Sequence, residues 1–159
     1  MTKVAAEARE RVFGIPKGQS RLPDAGDALG RFALAGATDG VSRTQRDAGR
    51  LYEAIVRDYQ RHLGARRLMS GSELERVSGH DNSTGDSPQE IERYERAKGR
   101  YIRARRALLL SAEPTAQMVV DAVVLDDVEM WQNVGVLRIA LNALAHEFGD
   151  ELGKGAQAA

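Results

Sequence analysis

Apolar residues recur along this chain at intervals of three and four, and the pattern predicts an all-α fold of about five helices. Its strongest run is Ala48, Leu51, Tyr52, Ile55, Tyr59 and Leu63. At roughly 100° per residue these fall within an arc of about 120°, the buried stripe of an amphipathic helix. Ser42 and Gln45 form a capping box at its start, and Gly64 is the predicted stop. Arg43, Arg46, Arg50, Arg57 and Arg61 cluster on the opposite side, with Glu53 placed to pair with Arg57. A second long helix is predicted over 88–110, opened by Ser87, Pro88 and Glu90. Ile91, Tyr94, Ala97, Tyr101, Ala104 and Leu108 make its apolar stripe, and Arg93, Arg96, Arg100 and Arg103 share another face.

The weaker segments set the organisation. Lys3 to Phe13 reads as a short helix or arm stopped by Gly14, and residues 14–26 read as a linker, so 1–26 stand apart from a helical domain at 27–149. A short helix over Ala28–Ala35 is closed by Gly36, and Thr38-Asp39-Gly40 forms a turn. Met69 to Asp86, rich in Ser, Gly, Asn and Asp, reads as a long loop with room for one helical turn at Ser72–Val77, and 150–159 as a flexible tail. In the last third, Met118 to Leu125 predicts an apolar helix, with a buried strand left open by its valines. Asp126-Asp127 ends that segment. A turn holding Trp131 then leads into a helix capped by Asn133 and closed by Gly149, a hairpin compatible with a helix-turn-helix. Its apolar residues Leu137, Leu141, Leu144 and Phe148, with Trp131, point to core packing or self-association, because Arg138 is its one arginine.

Composition changes this picture through charge. The total is neutral, 23 basic against 23 acidic side chains. Yet residues 1–112 hold 21 basic and 15 acidic, and residues 113–159 hold 2 and 8. Such asymmetry fits an anionic partner or association between copies. The excess of 19 Arg over 4 Lys has a plainer source as well, a GC-rich genome.

Catalytic chemistry is sparse in the sequence. The chain has no cysteine, so no disulfide framework, thiol nucleophile or thiolate zinc site. His62, His80 and His146 match no ligand spacing; His62 and His146 are placed in the last turns of their helices. His80-Asp81 lacks a nucleophile, and no phosphate loop, GxSxG or GxGxxG occurs. Asp121, Asp126, Asp127 and Glu129 fit a solvated turn better than a magnesium site. Tyr52, Tyr59, Tyr94 and Tyr101 lie on apolar stripes, which favours core packing over base stacking. The charged start MTKVAAEARERVF and the lack of a long apolar run predict a cytoplasmic protein without a membrane partner or a cofactor.

The string VVDAVVLDDVEMWQNVGVLRIALNALAHEFG resembles the end of a helical domain of chromosomal and prophage proteins of alphaproteobacteria. The matching residues are Trp131, Leu137, Arg138, Ala140, Leu141, Leu144, Ala145, His146, Phe148 and Gly149. The stretch AGRLYEAIVRDYQRHLGA also looks like small prophage proteins. The resemblance implies a helix-turn-helix-like unit and brings no catalytic residue. Together with the arginine faces, it leads to the expectation of a non-enzymatic, DNA-binding phage or prophage regulator acting on double-stranded DNA as a homo-oligomer. A small terminase subunit forming a packaging ring is one alternative. An adaptor or inhibitor with an acidic phage or host protein partner is the other.

Overall fold

The computed structural model describes residues 3–15, 18–75 and 87–156. Among them lie eight α-helices and no strand: α1 (Lys3–Phe13), α2 (Ala28–Leu34), α3 (Gly36–Asp39), α4 (Arg43–Glu75), α5 (Pro88–Leu109), α6 (Ala116–Val120), α7 (Val134–Glu147) and α8 (Gly149–Ala156). The all-α expectation holds, while the count of about five falls short. The difference comes from short helices that tertiary contacts sustain and that periodicity does not reveal.

The two long helices start where their caps place them. Gln45 N donates to Ser42 Oγ at 3.2 Å and Ser42 N to Gln45 Oε1 at 2.7 Å, and Ser87 and Glu90 repeat that reciprocal pair at α5. α5 ends at Leu109, where the pattern places it, but the far end of α4 differs from expectation. Gly64 does not stop α4, which runs to Glu75, so 69–75 are helical; the rest of the predicted loop, with His80, lies outside the described residues. A glycine ends a helix when its backbone turns left-handed and the chain departs. Here the good helix formers from Ala65 to Met69 follow, and one interior glycine costs only about 1 kcal/mol. α7 ends at Glu147, just before Gly149 as expected, but Gly149 then opens α8 and makes 150–156 of the predicted tail helical, because Asp150 and Glu151 suit a first turn and the buried Phe148 anchors it. The predicted turn at 38–40 is instead the end of α3, entered through Gly36 at φ +81°.

Stripes from α2, α4, α5, α6 and α7 close one core. Tyr52, Ile55, Phe32, Leu29, Leu108, Val119, Val120, Val123, Leu137, Leu141 and Leu144 are its large buried members. α4 and α5 pair antiparallel along a seam of tyrosines: Tyr59 stacks on Tyr101 with centroids 4.4 Å apart and faces Tyr94 at 6.3 Å. α7 packs against both. Thus Leu137, Leu141, Leu144 and Phe148 serve this chain's own core, and a second copy has no access to them. Trp131 is half-exposed and lies on Phe32, 4.1 Å between centroids.

The segment after α6 is helical and not a strand. It widens into a π-turn at Asp121–Leu125, where Asp126 N reaches back to Asp121 O at 3.2 Å. The wider turn buries Val123 and Val124 and brings the Asp121 carboxylate to α4 and α5. Eight residues then separate Leu125 from Val134, more than the three or four of a helix-turn-helix turn. Asn133 occupies the cap position of α7, but its side chain makes no capping bond.

Lys3–Phe13 forms the helix of the two expected alternatives, and its last residue, Phe13, lies under the Arg31 guanidinium of α2 at 4.2 Å. Ile15 and Ser20 are buried, and Glu10 Oε1 accepts from both Gly18 N and Ser20 Oγ at 2.9 Å. The 3-10 turn at Pro23–Gly26 presses on α2 so closely that a Cβ on Gly30 would lie 2.0 Å from the Asp24 carbonyl oxygen.

Candidate nucleic-acid interface

The arginines of α4 divide into two groups. In the N-terminal half, Arg46 Nη1 donates to Asp24 and Arg50 Nη2 donates to Asp27 at 2.6 Å, so both guanidinium groups clamp the 22–27 segment. The hydrogen bond with Asp47 leads in raising the Arg46 pKa, with Asp24 adding to it against burial. Burial opposes the charge on Arg50, and the bond with Asp27 outweighs it. Beyond that segment the back of the helix is open. Arg57 and Arg61 are 70% and 77% exposed, against 23% and 39% for Arg46 and Arg50. Among the described residues they pair along their own helix, Arg57 with Glu53 at 2.6 Å and Arg61 with Asp58 at 4.0 Å. Arg43 sits near Asp47 at 3.9 Å, at the exposed start of α4.

On α5, Arg93, Arg96, Arg100 and Arg103 form one row roughly 15 Å long. Arg93 and Arg96 are exposed, Arg96 pairing with Glu92 one turn earlier at 2.8 Å. The other two meet the acidic C-terminal part of the chain. Arg100 Nη2 lies 2.6 Å from Glu151 on α8, and Arg103 Nε lies 2.8 Å from Glu147 on α7 with its guanidinium over the Phe148 ring. The opposite charges of the two parts of the sequence therefore meet within one molecule.

The tyrosine seam fixes which way the rows point. Arg57 and Arg61 stand two residues either side of Tyr59, roughly 200° round the helix, and so face away from α5. Arg96 and Arg103 bear the same relation to Tyr94 and Tyr101, and face away from α4. The two rows lie on different flanks of the pair, and a single straight duplex reaches one flank at a time.

The remaining candidates hold the fold together. Arg138 Nε and Nη2 donate to the carbonyls of Gly40 and Thr38, fastening α7 to the end of α3. Asp127, at φ 57°, accepts from Ala28 N at the start of α2 and lies 3.6 Å from Arg31. Glu129 pairs with the buried Arg31 and accepts from Trp131 Nε1 at 3.0 Å. Asp121 binds Tyr52 and Arg105. Among the described residues, no group of three His, Asp or Glu side chains is placed to hold a metal ion. His62 lies within α4, not in a last turn, 3.6 Å from Asp58; His146 is in the last turn of α7 as expected. No described helix is long and apolar enough to cross a membrane.

Sequence reasoning missed the acids that hold the basic rows. Asp24 and Asp27 lie 22 and 23 residues from their arginines, and Glu147 and Glu151 lie 44 and 51 residues from theirs. The opposed charges of the two sequence regions were the available signal, but it named no pair. Comparison with models of known protein families, with curated proteins and with solved structures finds no match to the chain.

Proposed function

We propose that this chain is a non-enzymatic DNA-associated protein, of the kind a phage or prophage regulator requires, which neutralises phosphates through the arginine row of α5. The observation that carries this reading is the α5 row. Four guanidinium groups project from one rigid helix, three or four residues apart, and two of them already hold carboxylates of the same chain. Arginine forks suit carboxylate and phosphate oxygens alike, and a row of them on a helix follows a polyanion without reading its bases. The reading helix of a sequence-specific motif is not provided by α7, whose one arginine fastens α3. Contact is therefore with the backbone, and affinity is governed by salt.

Fluorescence anisotropy with a labelled duplex from low to high salt tests this. Micromolar or tighter binding is expected, falling steeply with salt, and Arg93→Ala with Arg96→Ala should reduce the slope by about two. The same pair of changes at Arg57 and Arg61 shows whether the other flank takes part. Absence of binding at low salt refutes the proposal.

A second reading rests on the carboxylates that Arg100 and Arg103 hold. A row that accepts Glu151 and Glu147 also suits an acidic protein surface, as an adaptor or inhibitor needs. That reading predicts weak duplex affinity and a stable complex with an acidic protein.

A further inference from the structure

The last helix, α8, meets the arginine row of α5 and is weakly built. It has eight residues, GDELGKGA, and three of them are glycine. A helix that short is marginal in water, and each glycine lowers its propensity further. Docking keeps it helical. Leu152 packs against the core, Leu152 N donates to Phe148 O at 3.1 Å, and Glu151 holds Arg100 of α5 at 2.6 Å.

The two arginines that meet carboxylates are held differently. Arg103 Nε donates to the Glu147 carboxylate at 2.8 Å, its Nη2 reaches the Glu147 carbonyl at 3.4 Å, and the guanidinium lies over the Phe148 ring. Glu147 ends α7 and Phe148 is buried, so Arg103 is tied to a part of the fold that leaves only if the core opens. Arg100 is joined instead to Glu151, on the glycine-rich helix beyond that anchor. Both partners of this pair are partly open to solvent, where a phosphate oxygen competes directly with the carboxylate for the same guanidinium.

We propose that α8 is an autoinhibitory latch on the α5 row. With no polyanion present, Glu151 occupies Arg100; a phosphate that takes Arg100 displaces Glu151, and α8 loses its docking and with it its helicity. The latch rests on the assignment of the row to duplex DNA, and adds the device that sets how many guanidinium groups are free. Arg93, Arg96 and Arg100 form the open run, while Arg103 stays with α7. The apparent affinity for DNA then includes the cost of undocking, so a firmer α8 means weaker binding.

NMR of the full chain, with a duplex titrated at low salt, follows the helicity of α8 through its backbone carbon shifts, and α7 serves as the internal standard. At saturation α8 should lose its helical shifts while α7 keeps its own. Without DNA, Arg100→Gln should loosen α8 in the same way, because Glu151 has then lost its partner. Affinities from fluorescence anisotropy supply the second readout. Glu151→Gln should tighten duplex binding several-fold and Glu147→Gln should change it less. Gly153→Ala, whose added Cβ meets nothing within 4 Å, should weaken binding several-fold, since it strengthens α8 without altering a charge. An α8 that stays helical at saturation or in Arg100→Gln, or a Gly153→Ala chain that binds as the parent does, overturns the latch and leaves the α5 row in place. Failure of the parent chain to bind duplex at low salt removes the row itself, and the latch with it.

Discussion

The phenol of Tyr52 on α4 donates to Asp121 at 2.6 Å across 69 residues of chain. The second carboxylate oxygen accepts from Arg105 of α5 at 2.6 Å, and Arg105 also donates to the Tyr52 oxygen at 3.0 Å. One carboxylate at the start of the π-turn thus fastens both long helices. Burial, and then the bond to Asp121, push the Tyr52 phenol well above its ordinary pKa. Replacing Tyr52 by Phe keeps the ring in the core and removes the hydroxyl, at an expected cost of about 1–2 kcal/mol in urea unfolding. The pH dependence carries a definite sign. A raised pKa stabilises fully below the unfolded value near 10, and that stabilisation is lost as pH rises towards the folded value. The gap between the parent chain and Tyr52→Phe should therefore be constant at neutral pH and shrink above about pH 10; a constant gap to pH 11 counts against the network.

Two glycines contrast in what surrounds them. An added Cβ at Gly30 meets the Asp24 carbonyl oxygen at 2.0 Å, whereas at Gly135 on α7 it meets nothing within 4 Å. Gly30→Ala must therefore displace the 3-10 turn that carries Asp24, the acid of Arg46, with an expected loss of about 2–3 kcal/mol. Gly135→Ala should raise stability by up to about 1 kcal/mol through helix propensity. Equal midpoints for the two variants in thermal unfolding would contradict the close packing of α2 on that turn.

The start of α5 is acid-sensitive. The Ser87 amide, and then the Ser87 hydroxyl, hold the Glu90 carboxyl below its ordinary pKa. A depressed carboxylate contributes above its unfolded value, near 4.3, and loses that contribution as pH falls. Hydrogen exchange at the first amides of α5 should accelerate, relative to the rest of the helix, on acidification below about pH 4. Glu90→Gln should show much less of that dependence. Identical profiles would mean that the capping box does not hold the helix end in solution.

Glu147 and Glu151 occupy half of the α5 arginine row. Exposed pairs of this kind contribute about 0.2–1 kcal/mol each, little enough for a polyanion to displace them. If α5 binds duplex DNA, replacing both acids by Gln should tighten binding several-fold at low salt. An unchanged affinity, with normal binding by the parent chain, would place the duplex on the Arg57–Arg61 flank.

The helical class, the start of both long helices and the tyrosine stripes were legible in the sequence, because caps and 3-4 spacing are local chemistry. Ser42 with Gln45, and Ser87 with Glu90, define their helix ends within four residues. The run of α4 through Gly64 and the helix that begins at Gly149 were not legible in this way, since whether a helix stops or a new one starts depends on where the chain goes next. For the candidate interface, the sequence alone determined that arginines share faces of α4 and α5. Tertiary structure decided which of them reach solvent. Segment 22–27 lies across the first half of α4 and takes Arg46 and Arg50, while α7 and α8 bring acids to Arg100 and Arg103. Helical periodicity fixes a direction round an axis within a few residues, but burial and ion pairing are set by elements tens of residues away, whose positions follow from the packing of the whole core.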